Sequence, residues 1–180
     1  MTTYEPGPLA ETNVEEAGGG RWTLIFLRDF PHPVAKVWQA LTSPDELVEW
    51  APYTADRDLG VTGAAVLTMI DGGNRVDIPI DVTAVDPPRI LEYTWDSDLL
   101  RWELAPTASG TRLTLRHTMR DRSWLPKVTA GWHICLDVAD LLLAGTPVGP
   151  IRGEAARAHG WEDLRDAYGA KLGIPPDDAA

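Results

Sequence analysis

The sequence predicts an α+β fold in which an antiparallel sheet packs against one long helix near the C-terminus. Between Tyr53 and Met119, apolar and polar residues alternate with a period of two, and turn-forming sequences separate the segments. Residues 130–145, "AGWHICLDVADLLLAG", are instead apolar at helical spacing, and the run ends at a glycine that prolines follow. Consecutive strands followed by helices, rather than alternating with them, are typical of an α+β domain.

The first 20 residues predict a disordered leader. They hold four glutamates, two prolines and a closing triple glycine, and they offer few apolar side chains for burial. The folded domain is therefore expected to span residues 21–173. Residues 174–180, "IPPDDAA", are expected to form a polar tail.

The domain is expected to open with a strand and two short helices. The segment "RWTLIFLRDF", residues 21–30, is rich in aromatic and branched residues that alternate with a period of two. In residues 31–50, "PHPVAKVWQALTSPDELVEW", apolar residues recur at helical spacing after Pro33. Pro44 then suits the first position of a second helix.

An antiparallel meander is expected to follow. Its strand-like segments are separated by the turn sequences "DGGN", "DPPR" and "SGT". In one of the segments Leu100, Trp102 and Leu104 share a face, while Arg101 and Glu103 lie on the other. The alternation predicts a sheet with one buried face and one solvated face.

The long helix is expected to be buried on more than one side, because apolar residues occupy most of its circumference. Its main stripe, from Val128 to Leu143, packs on the sheet. A narrow polar sector remains, and a shorter helix, "GWEDLRDAYGAKLG", closes the domain. The members of the polar sector are Thr129, His133, Asp137 and Asp140.

Charge and cysteine content exclude several classes of function. The chain has 27 acidic and 16 basic residues, and its net charge of −11 disfavours nucleic acid and anionic membrane surfaces as partners. The single cysteine makes no intramolecular disulfide, which fits a reducing compartment. Neither a signal peptide nor an apolar run of membrane-spanning length is visible. A cytoplasmic protein without membrane insertion is expected.

Four segments in order resemble the START-like superfamily, also called SRPBCC. They are "FPHPVAKVWQALTSPDELVEW", "DPPRILEYTW", "SGTRLTLRHT" and "GWHICLDVADLLLAG", and together they cover roughly residues 21–145. Within that superfamily, the chain looks most like bacterial proteins named for the C-terminal domain of the activator of heat-shock protein 90 ATPase. One departure is "GVTGAAVLTM", where family members usually carry a strand with two glycines and an aromatic residue.

The resemblance implies a helix-grip fold, in which a curved antiparallel sheet wraps around the long C-terminal helix. It also implies a cavity between the sheet and that helix, which the superfamily uses for lipids, sterols, polyketides and other apolar molecules. Catalysis occurs only in some members. The resemblance to the co-chaperone is limited to its C-terminal domain, so the family name is a poor guide to activity.

His117 is the first candidate for chemistry. It alternates with Leu113 and Leu115, so a regular strand directs it to the buried face. There it is either a ligand-binding or acid–base group, or a core histidine that is hydrogen-bonded to a neighbour. Burial disfavours its charged form unless a carboxylate such as Asp137 or Asp140 compensates.

His133 and Asp137 are the second candidates, because their i, i+4 spacing on a helix allows the side chains to interact. With Asp140 they form either a polar patch at the mouth of a cavity or a solvated helix edge. A metal site is not predicted, since no metal-ligand spacing recurs elsewhere. Cys135 lies on the stripe that faces the sheet, where a thiol behaves as a small apolar group.

Eight tryptophans in 180 residues are a high load, and large aromatic faces often line apolar cavities. Core packing explains any one of these residues equally well. The aromatic residues predicted to line the cavity are Trp38, Trp50, Tyr93, Trp95, Trp102 and Trp132.

The sequence therefore predicts a protein that binds an apolar or amphipathic small molecule and needs no cofactor. Enzyme activity is not expected, because nucleophile-elbow, phosphate-loop and zinc-protease motifs are absent from the sequence. Two alternatives remain open. One is a chaperone-interacting module, and the other is a small cyclase-like or hydratase-like enzyme in which His117 and an acidic partner transfer a proton. The sequence leaves the oligomeric state open, a homodimer included.

Overall fold

The computed structural model describes residues 3–176, which form one antiparallel sheet with four α-helices. The strands are β1 (Glu11–Gly18), β2 (Arg21–Phe30), β3 (Tyr53–Ala55), β4 (Gly63–Asp71), β5 (Asn74–Asp86), β6 (Ile90–Trp95), β7 (Asp98–Thr107) and β8 (Gly110–Met119). The helices are α1 (Val34–Thr42), α2 (Pro44–Trp50), α3 (Leu125–Leu143) and α4 (Trp161–Leu172). Short 3₁₀ segments span Arg122–Trp124 and Gly153–His159.

The sheet runs in the order β1-β2-β8-β7-β6-β5-β4-β3, and every neighbouring pair of strands is antiparallel. It curves around α3, so the predicted α+β helix-grip fold is confirmed. The alternation in β7 has the predicted sense, since Leu100, Trp102 and Leu104 are buried while Arg101 and Glu103 are half-buried. No helix within residues 3–176 combines the length and apolar composition needed to cross a bilayer.

Helix α3 is the central element of the core and is buried on more than one side, as predicted. Thirteen of its 19 residues are buried. They include Thr129, His133 and Asp137 of the polar sector, whereas Asp140 is half-buried. The expectation that this sector is a solvated helix edge is therefore wrong. The elements that cover it are the N-terminal segment and α4.

The expectation of a disordered leader is also wrong. Residues 11–18 form β1, which pairs with β2 at the edge of the sheet, and Tyr4 is buried. The triple glycine is the hairpin turn between these strands rather than a linker. Gly18, Gly19 and Gly20 have φ values of 79°, 61° and 74°, which glycine adopts without the steric cost that a Cβ imposes.

The predicted domain boundary at residue 173 lies too early. Ile174 is buried, and its backbone N–H donates to the carbonyl of Gly169 at 2.9 Å, so the end of α4 is closed by a residue assigned to the tail. Residues 177–180 of the predicted tail lie outside the described residues.

Candidate functional site

A cavity of about 350 Å³ lies between the end of the sheet and α3. Its walls come from three places in the chain: the ends of strands at Pro52, Asp71 and Trp95, one face of α3, and the irregular segment after α3 together with the start of α4. The lining residues from α3 are Val128, Gly131, Trp132 and Cys135, and those from the last segment are Ile151, Arg152, Gly153, Glu154, Ala156, Arg157 and Trp161. The volume falls at the small end of the range of about 300–1,000 Å³ that is usual for ligand pockets.

Two of the residues predicted to line a cavity, Trp95 and Trp132, do so. Their ring centroids are 5.9 Å apart in an edge-to-face arrangement. Trp95 is half-buried and also packs on Tyr53 at 5.2 Å, whereas Trp132 is buried against Trp102 at 5.3 Å. The two indoles form an aromatic wall whose back is held by the core.

His117 lies directly behind this wall. It is buried, as the strand alternation predicts, and it is close to both indoles. The indole N–H of Trp132 donates to Nδ1 of His117 at 3.0 Å, and Nε2 of His117 is 2.8 Å from Oδ2 of Asp98. An indole nitrogen only donates, so Nδ1 carries no proton. With Nδ1 as the acceptor, the Nε2–H of the ring donates to Asp98.

The sequence suggested Asp137 and Asp140 as examples of a carboxylate that could compensate His117, but the carboxylate beside it is Asp98. Asp137 and Asp140 lie on α3, whereas Asp98 lies on β7, the strand that pairs with β8, which carries His117. The register pairs Leu100 with His117, so Asp98, two residues before Leu100, projects from the same face as the imidazole. This register is the signal that identifies the pair.

The remaining predicted aromatic residues do not line this cavity. Trp50, Tyr93 and Trp102 are buried in the space between sheet and helices, and Trp38 packs half-buried against the same core. Trp50 donates its indole N–H to the carbonyl of Ala40 at 2.9 Å. These side chains fill the interior between the sheet and the helices, where the sequence predicted a ligand cavity.

A buried hydrogen-bond chain fixes the centre of this aromatic core. The hydroxyl groups of Tyr53 and Tyr93 are 2.5 Å apart, and the indole N–H of Trp102 donates to the Tyr93 hydroxyl at 3.1 Å. Burial raises the pKa of Tyr93 to about 12 and that of Tyr53 well above its ordinary value. Both phenols therefore stay neutral, and their polar atoms are paired within the core.

The predicted polar residues of α3 belong to a second cluster, away from the cavity. Asp137 accepts from the Tyr4 hydroxyl at 2.9 Å and from the Gly7 backbone N–H at 3.1 Å, and it forms an ion pair with Arg28. The Nε2 atom of His133 lies 3.2 Å from the same carboxylate. Burial alone would raise the pKa of Asp137, but the neighbouring His133, the bond from the Gly7 N–H and the Arg28 charge hold the pKa well below its ordinary value.

This second cluster holds the N-terminal segment on the domain. The backbone N–H of Ala10 donates to the Tyr168 hydroxyl at 2.8 Å, and that hydroxyl is 2.7 Å from Nδ1 of His133. The Tyr168 hydroxyl therefore bridges the backbone of the N-terminal segment and the imidazole of His133. The arrangement docks residues 4–10 onto α3 and α4.

Cys135 is buried, as predicted, and burial raises the pKa of its thiol to about 12. A neutral thiol is a poor nucleophile, so Cys135 contributes apolar surface to the cavity wall. Within residues 3–176, no group of three or more His, Cys, Asp or Glu side chains is placed to hold a metal ion.

Sequence reasoning missed the charged part of the cavity rim, which is formed by the segment after α3. Arg152 and Arg157 both line the cavity, together with Glu154 and Asp71. This segment, "GPIRGEAARAHG", has no strand or helix periodicity that would place it. Two arginines in the short segment between α3 and α4 are the signal that the sequence carries.

Comparison with known proteins agrees with the fold. A model of the family described as activator of Hsp90 ATPase homolog 1-like protein matches residues 31–143, more than half of the chain. The crystal structure of CalU16 from Micromonospora echinospora has a TM-score of 0.66 at 20% identity, covering 89% of this chain and 96% of that chain. A conserved protein of unknown function from Enterococcus faecalis, EF2215, has a TM-score of 0.67 at 18% identity, with coverages of 90% and 89%.

The AHSA1-like protein from Aeromonas hydrophila is also similar, with a TM-score of 0.58 at 20% identity over 70% of this chain and 96% of that chain. At these identities the structural likeness shows the fold alone. No curated protein matches the sequence. The family match shows that the chain belongs to the activator of Hsp90 ATPase homolog 1-like family.

Proposed function

We propose that the protein binds an apolar or amphipathic small molecule in the cavity between the sheet and α3. The observation that carries the proposal is the aromatic wall of Trp95 and Trp132, which lines an opening large enough for a small ligand. Aromatic faces in a concave, largely apolar site bind ligands by excluding water from both surfaces. The fold family is compatible with this role.

His117 and Asp98 support the binding role by positioning the wall. The indole of Trp132 is tied to His117, which is itself tied to Asp98, so the ring has a fixed orientation before any ligand arrives. A preformed wall avoids the entropic cost of ordering side chains on binding. The pocket is therefore preorganised for its ligand.

The enzyme alternative lacks support from this arrangement. A carboxylate does lie within hydrogen-bond reach of His117, but the imidazole is buried and does not line the cavity. Both ring nitrogens are engaged, one by Trp132 and the other by Asp98. Proton transfer to a substrate needs a nitrogen that reaches it.

The chaperone-module alternative calls for a contiguous apolar patch on the outer face of the sheet. Among the described residues, the exposed large apolar side chains are Leu9, Val61, Val76 and Trp124. They belong to separate elements of the chain, and only Val76 is on a strand. The proposed function therefore rests on the cavity rather than on a docking patch of the sheet.

Titration with N-phenyl-1-naphthylamine, a neutral probe whose fluorescence rises in apolar surroundings, tests the proposal. We expect saturable binding that Trp95→Ala weakens by about tenfold, because the ligand loses an aromatic face. Trp124→Ala is the matched control, since Trp124 is exposed and does not line the cavity. Unsaturable binding, or equal affinity in both variants, would contradict the proposal.

A further inference from the structure

Arg152 is held at the cavity wall by one of its three nitrogens. Its Nη1 donates to the carbonyl of Val48 at 3.1 Å and to the carbonyl of Ala51 at 2.8 Å. These carbonyls belong to the last turn and the C-terminal cap of α2. The C-terminal end of a helix carries partial negative charge and therefore attracts cations. The guanidinium is thereby fixed in position without using its other donors.

The other edge of the guanidinium is unused. Its Nε and Nη2 make no hydrogen bond within residues 3–176, and neither is sealed from solvent. Among the described residues, no carboxylate lies within ion-pair distance of Arg152. Arg157, the other arginine of the rim, differs in being paired with Glu154 at 3.5 Å and Glu162 at 3.7 Å.

The surroundings of Arg152 leave its charge poorly compensated. Burial lowers the pKa of the Arg152 guanidinium, and the charge of Arg75 acts in the same direction, against the opposing influences of Cys135 and Glu49. A partly buried cation without an ion-pair partner attracts an anion more strongly than an exposed one does. The edge that carries Nε and Nη2 has the spacing that matches a carboxylate in a two-point contact.

We propose that Arg152 makes the cavity selective for small apolar molecules that carry one carboxylate, with the acid group on Nε and Nη2 and the apolar body against Trp95 and Trp132. This proposal rests on the proposed function. The volume of about 350 Å³ suits a small aryl or short-chain acid rather than a bulky lipid. Asp71 and Glu154 at the rim repel anions in proportion to their charge, so a ligand with a single carboxylate is favoured over anions of higher charge.

A pair of probes that differ only in charge tests the proposal by calorimetry on the unmodified protein. The probes are 1-naphthylacetate and its neutral amide, 1-naphthylacetamide. A charge-assisted contact to a fixed arginine is expected to make the acid bind at least about tenfold more tightly. Equal affinity for the two probes overturns the selectivity while leaving the binding function intact. If neither probe binds, both proposals fall.

Variants assign the selectivity to a residue. Arg152→Gln is expected to weaken 1-naphthylacetate by at least about tenfold and to leave 1-naphthylacetamide unchanged. Arg89→Gln is the matched control, because Arg89 is an exposed arginine that is already paired with Asp86 and does not line the cavity, and it should change neither affinity by more than about twofold. An Arg89→Gln effect as large as that of Arg152→Gln overturns the assignment. If Arg152→Gln does not fold, Arg152→Lys, which keeps the charge but loses the two-point contact, is expected to weaken the acid alone.

Discussion

Replacing Asp137 with asparagine removes a charge on which four groups converge. The carboxylate accepts from Tyr4 and Gly7, pairs with Arg28 and lies beside His133. Asparagine keeps the size of the side chain but presents an NH₂ group to neighbours that are themselves donors. At least one buried donor is therefore left without an acceptor.

The expected loss of stability follows from the burial of the ion pair. Removing one partner of a buried pair costs about 3–5 kcal/mol. The Arg28 side chain is 22% exposed and keeps Asp140 at 3.1 Å, so the lower end of this range, about 3 kcal/mol, applies. For a chain of this length, that corresponds to a fall of roughly 6–12 °C in Tm.

Urea and thermal unfolding followed by circular dichroism measure this loss. Asp140→Asn is the control, because its side chain is 27% exposed and it is expected to cost only about 1 kcal/mol. A change of less than about 1 kcal/mol for Asp137→Asn, or a larger loss for Asp140→Asn, would refute the reasoning.

The pH dependence provides a second readout of the same carboxylate. The pKa of Asp137 in the folded protein lies well below the ordinary value of 3.8, so its contribution to stability is complete above that value. The contribution is lost as the pH falls below about 4 towards the folded-state pKa. The stability difference between the unmodified protein and Asp137→Asn is therefore expected to be constant near neutrality and to shrink in acid. A difference that grows in acid would contradict the account.

Three further predictions concern the packing. Deletion of residues 1–10 is expected to cost roughly 3 kcal/mol, seen as a fall in Tm, because the segment supplies hydrogen bonds to buried groups of α3 and α4. An unchanged Tm would show that the segment does not stabilise the domain, as expected for a disordered leader. His117→Gln is expected to cost about 1–3 kcal/mol and to move the indole N–H resonance of Trp132, and a resonance that stays in place would disprove the bond. Tyr53→Phe is expected to cost about 1–2 kcal/mol in urea unfolding, since Tyr93 loses its closest partner, and a neutral effect would show that the Tyr93 hydroxyl is satisfied elsewhere.

The sheet and α3 could be predicted because each element carries its own periodicity. Strand β8 alternates strictly, so the burial of His117 followed from its distance to Leu113 and Leu115. In α3, apolar residues on most of the circumference predicted a helix covered on several sides. Such patterns are local and need no knowledge of partners.

The N-terminal segment was mispredicted because its contacts have no sequence signature. Apart from the Tyr4 hydroxyl, its described bonds to the second cluster are made by the backbone N–H groups of Gly7 and Ala10, which any residue except proline supplies. The same error made the polar sector of α3 look solvated, because the segment that covers Asp137 had been set aside as a leader.

The candidate site was predicted only in part. Trp95 and Trp132 lie on elements with clear periodicity, so their inward direction could be derived from spacing. Whether an inward aromatic residue fills the core or lines a cavity depends on the total volume of its neighbours, and spacing does not contain that information. Arg152 lies in an irregular segment, which tertiary contacts alone position.

The central claim is that a small molecule binds in the cavity against Trp95 and Trp132. A two-dimensional nitrogen–proton spectrum resolves the indole N–H groups of the eight tryptophans and tests the claim during titration with 1-naphthylacetamide. The account predicts saturable shifts for Trp95, Trp132 and Trp161, which line the cavity, and none for Trp22 or Trp124, which do not. Shifts at Trp22 or Trp124 with an unchanged Trp95 would contradict it.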